Sequence, residues 1–161
     1  MSVRWARGIV LCICLPFLAA TGAWAQNEFQ VLLDAHNGAR ARHCSPPMAW
    51  SAPIAASAQR WANRCAFGHD PGNDLGENIA WGTWLTASKA FGLWYDEIAE
   101  YNYRSPGFGP AGHFTQVIWR DSRMLGCGRA QCGENVYWVC RYAPAGNVEG
   151  EYRANVLPPC R

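Results

Sequence analysis

Six cysteines from Cys44 onward constrain this chain more than any other feature: Cys44, Cys65, Cys127, Cys132, Cys140 and Cys160. They follow an N-terminal stretch with the marks of a secretory leader. Arg4 and Arg7 precede an apolar run from Gly8 to about Ala20, and Ala23-Trp24-Ala25 supplies a small-residue cleavage pattern. Cys12 and Cys14 lie inside that run and would leave with it. No cysteine stands at the cleavage point, as a lipid attachment would require. Residues 1–25 therefore read as a signal peptide and residues 26–161 as one domain, large enough for a core of its own. No second apolar stretch of about 20 residues follows, so no transmembrane anchor is expected. In an oxidising compartment six cysteines read as three disulfides, although fifteen pairings are open. A zinc-finger reading is weak, because there is no C-x-x-C and Cys127 and Cys132 stand five apart.

Charge excludes one class of partner. Without Arg4 and Arg7 the chain keeps twelve basic residues against twelve acidic ones, and all the basic ones except Lys89 are arginine. A near-neutral domain without a basic patch does not predict nucleic-acid binding. Enzyme motifs are also sparse: there is no G-x-S-x-G, no phosphate-cradling glycine loop, and no spare cysteine for a thiol nucleophile.

Periodicity predicts helices first and strands after them. Phe29, Leu32 and Leu33, continued by His36 and Arg40, form a helical stripe over Glu28 to Arg42, and Pro46-Pro47 end it. Ser51 is a good N-cap for a second helix, with Pro53 in its first turn and a stripe of Ile54, Ala55, Ala58, Trp61, Ala62 and Cys65. Thr86 can cap a third, with Phe91, Trp94, Tyr95 and Ile98 on one face. "GHDPGNDLG" and "YNYRSPGFGPAG" read as loops, and "WGTWL" is loop-like. "MLGCGRAQC" and "NVYWVCRYA", parted at "GEN", read as a hairpin, and the tail after it as irregular. Helices precede strands without βαβ alternation, so the class is α+β. Trp61, Trp94, Trp119 and Trp138 fit core positions, whereas His43, at a helix end, is expected to be exposed.

"GHFTQVIW" sets His113 and Gln116 in an apolar run, where an unpaired polar group costs about 1–3 kcal/mol. The run is read as a short helix. Gln116 and Asn78 are expected to bond backbone groups in the core, and His36 to be a satisfied structural histidine.

Four segments together are similar to one known family. "HNGAR" (His36, Asn37, Arg40) resembles the H-N-x-x-R of the first helix of the CAP superfamily, the group of cysteine-rich secretory proteins, antigen 5 and plant pathogenesis-related proteins. "GENIAWG" (Gly76 to Gly82) resembles its G-E-N segment, "GHFTQVIWRDS" its first signature and "YWVCRYAPAGN" (Tyr137 to Asn147) its second. They stand in family order and span nearly the whole mature chain, so residues 26–161 are identified as a CAP/SCP domain.

The resemblance implies a three-layer α-β-α sandwich with a small antiparallel sheet. It implies a cleft tetrad of His69, Glu77, Glu97 and His113, with Asp70 where many members carry serine. It implies Cys65–Cys132, Cys127–Cys140 and Cys44–Cys160 bridges. Asn37 and Arg40 are expected to hold the loops near the second signature. The plant pattern also staples the loop before the first signature; here that loop has no cysteine. Relatives link the loop matching residues 101 to 111 to sterols, and a groove between helices to fatty acids.

The tetrad allows two chemistries. Neutral imidazoles of His69 and His113 can hold a divalent cation such as zinc, with water completing the shell and carboxylates orienting the ligands. Without metal, two His–Glu pairs would simply organise the cleft. The expected role is a secreted, monomeric, non-enzymatic binding module for lipid, a cell-surface component or a divalent metal. It would act outside the cell, or in a periplasm. The competing expectation is a metal-dependent hydrolase with Glu77 or Glu97 as general base.

Overall fold

The computed structural model describes residues 20–160, with side chains from Glu28 onward. The signal-peptide reading of residues 1–25 falls for the most part outside the described residues. Among them the order is α1 (Ala20–Arg42), β1 (Ala49–Trp50), α2 (Ala52–Ala62), β2 (Gly76–Thr83), α3 (Ala87–Tyr95), a 3-10 turn (Asp96–Glu100), α4 (Gly112–Ile118), β3 (Met124–Cys132), β4 (Asn135–Ala143) and α5 (Tyr152–Asn155). The strands form one sheet in the order β1-β3-β4-β2, antiparallel except where β1 runs parallel to β3. The described helices include none long and apolar enough to cross a membrane.

The three layers follow from the alternation of β4. Val136, Trp138, Cys140 and Tyr142 point to the face covered by α1, α3 and α4, whereas Tyr137, Val139 and Arg141 point to the face covered by α2. Both faces are buried, which is why the strand reads as an almost unbroken apolar run. On the α2 side, Gly126 and Gly128 let the helix backbone rest on the sheet. A Cβ at Gly128 would press into the backbone of Gln59, and one at Gly126 into that of Ala55.

Capping chemistry sets two helix starts. The Ser51 hydroxyl accepts from Ile54 N at 3.5 Å, and Thr86 Oγ1 from Lys89 N at 3.4 Å. "GHFTQVIW" does form a short helix, and Trp61, Trp94, Trp119 and Trp138 are all buried. Three disulfides join Cys44 to Cys160, Cys65 to Cys132 and Cys127 to Cys140. The first fastens the C-terminal tail to the end of α1, where Cys160 N also donates to Arg42 O at 2.9 Å.

Four expectations are corrected. The "WGTWL" stretch is not loop throughout, because Trp81 to Thr83 complete β2 on the edge of the sheet. The tail is not wholly irregular, since it contains α5. His43 is fully buried rather than exposed: Nδ1 donates to Leu157 O at 2.7 Å, and Nε2 accepts from the Tyr95 hydroxyl at 3.0 Å. Arg40 holds not the second signature but the end of the first. Its buried guanidinium donates to the carbonyls of Trp119 at 2.6 Å, Ser122 at 2.7 Å and Pro46 at 2.7 Å, with Val117 and Arg120 at 3.3 Å. Asn37 makes a two-way bond with the backbone of Met48 instead.

Candidate functional site

The cleft lies across the start of edge strand β2. Glu77 and Asn78 are successive residues of that strand, so their side chains leave on opposite faces. Glu77 stands opposite Arg141 of β4 in the sheet register. Asn78 turns to the other layer, where its Nδ2 donates to His113 O at 3.0 Å. One strand therefore fixes both halves of the site.

In the first half, His69 Nδ1 donates to Glu77 Oε1 at 3.0 Å, and Asp70 N donates to the same oxygen at 3.1 Å. The other oxygen of Glu77 accepts from Arg141 Nε at 2.9 Å, while Arg141 Nη2 reaches Asp70 Oδ2 at 2.6 Å. Glu77 and Arg141 are 5% and 6% exposed and His69 is 62% exposed, so a buried ion pair carries a solvent-facing imidazole. Asp70 thus braces Arg141 rather than adding a loose carboxylate to the rim. The Gly72 N–H on Oδ1, helped by the Arg141 guanidinium, holds its carboxyl below the usual range.

In the second half, Glu97 lies in the 3-10 turn that continues α3, and it meets the start of α4. Its Oε1 accepts from His113 Nδ1 at 2.6 Å; its Oε2 accepts from His113 N at 2.8 Å and Phe114 N at 3.2 Å. A carboxylate on the free N–H groups of a helix start is favourable in both hydrogen bonding and charge.

The two halves line one cleft of about 350 Å³ with Phe108, Gly109, Pro110 and Asn147. Phe108 is 71% exposed and lies over Gly112. Asn147 ties the cleft floor, donating from Nδ2 to Gly112 O at 2.8 Å and accepting from Thr115 Oγ1 at 2.6 Å.

With each Nδ1–H given to a carboxylate, each Nε2 carries a lone pair. Among the described residues neither Nε2 has a hydrogen-bond partner. This carboxylate–histidine arrangement suits a metal ligand. It supplies two ligands: the described residues hold no group of three His, Cys, Asp or Glu that could grip a metal ion.

The supporting polar residues lie behind the cleft. Gln116 Oε1 accepts from Gly146 N at 2.9 Å, and its Nε2 donates to Ser122 Oγ at 3.1 Å. His36 Nδ1 donates to Leu32 O at 2.7 Å, and Nε2 accepts from the Tyr142 hydroxyl at 2.9 Å. Arg141, Phe108 and Asn147 were not picked out from the sequence. Arg141 had a signal, a charge within the apolar run "YWVCRYA", which requires a buried partner.

Residues 33–142 match the family model described as CAP, the cysteine-rich secretory protein family. The chain belongs to that family. CAP relatives with similar sequences include pathogenesis-related protein 1C of Nicotiana tabacum, 40% identical over 89% of this chain and 90% of that one. Pathogenesis-related leaf protein 4 of Solanum lycopersicum is 41% identical over 88% and 94%. Among solved structures of similar fold, that of NaASP2 with Zn2+ superposes with a TM-score of 0.69 at 25% identity, covering 84% of this chain and 87% of that one.

Proposed function

We propose that this CAP protein is a secreted, non-enzymatic binding module whose cleft presents the Nε2 atoms of His69 and His113 to a divalent cation. One observation carries the reading: all four carboxylate oxygens of Glu77 and Glu97 already accept hydrogen bonds, from imidazole, guanidinium or backbone N–H. They act as orienting groups. The chain's own residues hold the two rings in the tautomer that a metal needs, and the cation when bound would supply a positive charge to anchor an anionic or carbonyl group of a ligand. The Zn2+ named with the NaASP2 structure supports the choice of ion.

The hydrolase alternative has less support. Catalytic zinc sites generally use three protein ligands and leave one position for water, whereas this cleft offers two imidazoles. A general base also needs a carboxylate free to reach that water. Lipid remains a second ligand class, favoured by an apolar groove of about 380 Å³ beside Phe29, Leu33 and Trp50, and by the exposed Phe108 ring.

Calorimetric titration with zinc tests the reading on protein purified after expression of the full chain, repeated on His113→Ala. Heat that disappears in the variant supports a cleft cation site. No heat from either protein would reduce the tetrad to architecture. Zinc-dependent peptide or ester turnover lost in Glu77→Gln would favour the hydrolase instead.

A further inference from the structure

Among the described residues, a cavity larger than the tetrad cleft lies elsewhere in the fold. It opens at the other end of β2, with a volume of about 750 Å³, between the end of that strand, the start of α3 and the far end of the β3–β4 hairpin. Along β2, Glu77 of the cleft and Thr83 of the cavity are six residue steps apart, or about 20 Å at about 3.3 Å per residue. Nothing in the tetrad reading accounts for it.

Its wall carries Trp84, which is 85% exposed and has a φ of +52°, a left-handed conformation seldom adopted by a bulky side chain. The neighbours impose it. Leu85 is buried, and its carbonyl accepts from Trp138 Nε1 at 2.9 Å, while Thr86 begins α3. Lys89 Nζ donates to the Trp84 carbonyl at 3.3 Å. The chain is thus pinned on both sides of an indole turned into solvent, and local strain of this kind is concentrated at functional positions.

The rest of the wall is polar and balanced in sign. Glu28 and Glu134 face Lys89 and Arg129, with Gln131 beside them. Arg129 is underused: its buried Nε has no hydrogen-bond acceptor among the described residues, and Glu28 Oε2 lies 3.5 Å away. Glu134 lies at the exposed hairpin turn.

We infer that this cavity is a binding site for a neutral saccharide chain, with Trp84 as its stacking platform. A flat exposed indole matches the C–H face of a pyranose ring. Carboxylate, amide and guanidinium groups around it match the ring's vicinal hydroxyls, each of which both donates and accepts. Two acids set against two bases leave no excess charge to favour a uronate or sulfated chain. The volume lies within the range of about 300–1,000 Å³ usual for ligand pockets.

Calorimetry with cellohexaose, laminarihexaose and mannohexaose tests the inference on the wild-type protein and Trp84→Ala. Polygalacturonate and phosphatidylcholine vesicles serve as competing probes. Because the indole is exposed, the variant is expected to fold, and a thermal melt checks this. Binding of at least one neutral hexasaccharide, weakened about tenfold or more in Trp84→Ala, is the expected result. Binding to none of the three, or equal binding by the variant, overturns it. Preference for polygalacturonate overturns the neutral class. Trp84-dependent retention on vesicles without sugar binding reassigns the cavity to a lipid surface. Zinc heats measured on the same preparations read the tetrad cleft separately, so the failure of either site leaves the other standing.

Discussion

Glu97 holds His113 twice, by its ring and by its backbone. Oε1 takes the imidazole Nδ1–H and Oε2 takes the amide at the start of α4. Orientation of the cleft imidazole and stability of the helix therefore share one carboxylate. Glu97→Ala should lower unfolding free energy in urea by about 1–2 kcal/mol, the loss expected of a helix cap, and should also weaken zinc binding. Glu97→Gln can still accept one bond, so its stability loss should be the smaller of the two.

Arg40 predicts a larger effect. Its buried guanidinium bonds five carbonyls: one in the loop after α1, one in the last turn of α4 and three just beyond that helix. Burial lowers its pKa only to about 10, so it stays charged. Arg40→Lys supplies three donors from one point in place of a planar fork, and should cost about 3–5 kcal/mol in chemical denaturation. Retention of wild-type stability by the lysine variant would show those carbonyls to be satisfied in another way.

Acid should destabilise the fold through His36. Burial pushes its pKa down to about 4, against 6.5 in the unfolded chain. Below pH 6.5 the unfolded state takes up the proton and the folded state resists it, so stability is complete above that value. It declines as the pH falls toward 4, by up to about 3 kcal/mol. His43 is shifted in the same direction by burial. Melting temperature recorded from pH 7.5 to 4 in wild type and His36→Gln should show a shallower decline in the variant.

Gly128→Ala tests the contact between α2 and the sheet. The added methyl would meet the Gln59 backbone, which has no flexible end to move aside. A destabilisation of about 3 kcal/mol is expected in urea titration. Alanine at Gly133, which has open space but a φ of +64°, should cost about 1 kcal/mol; comparing the two separates crowding from backbone strain.

The legible parts of the fold were those with a local cause. Ser51, Thr86 and the Pro46-Pro47 break mark helix limits by capping and ring chemistry, and the hairpin shows in the β-branched and aromatic run of its second strand after a glycine turn. β2 does not announce itself as a strand, because "GENIAWGT" starts with polar residues and shows no two-residue alternation. Its register comes from pairing with β4, far along the chain. β1, two residues long, exists only through its contact with β3. Burial of His43 is not legible locally, because nothing near it announces Leu157 O and Tyr95, its partners from distant segments. The tetrad emerged from likeness to a family rather than from spacing. His69 and Glu77 could be suspected as neighbours, but the meeting of Glu97 with His113 depends on where the loop after the 3-10 turn returns.

The bridges have a consequence for resistance to proteolysis. A protease cutting within the unstapled loop between Tyr101 and Ala111 would split the backbone into two pieces. Cys44–Cys160 and Cys65–Cys132 both cross that cut. The nicked molecule would stay whole on a non-reducing gel and separate only after reduction, so the loop beside the cleft can be severed without releasing either half of the tetrad.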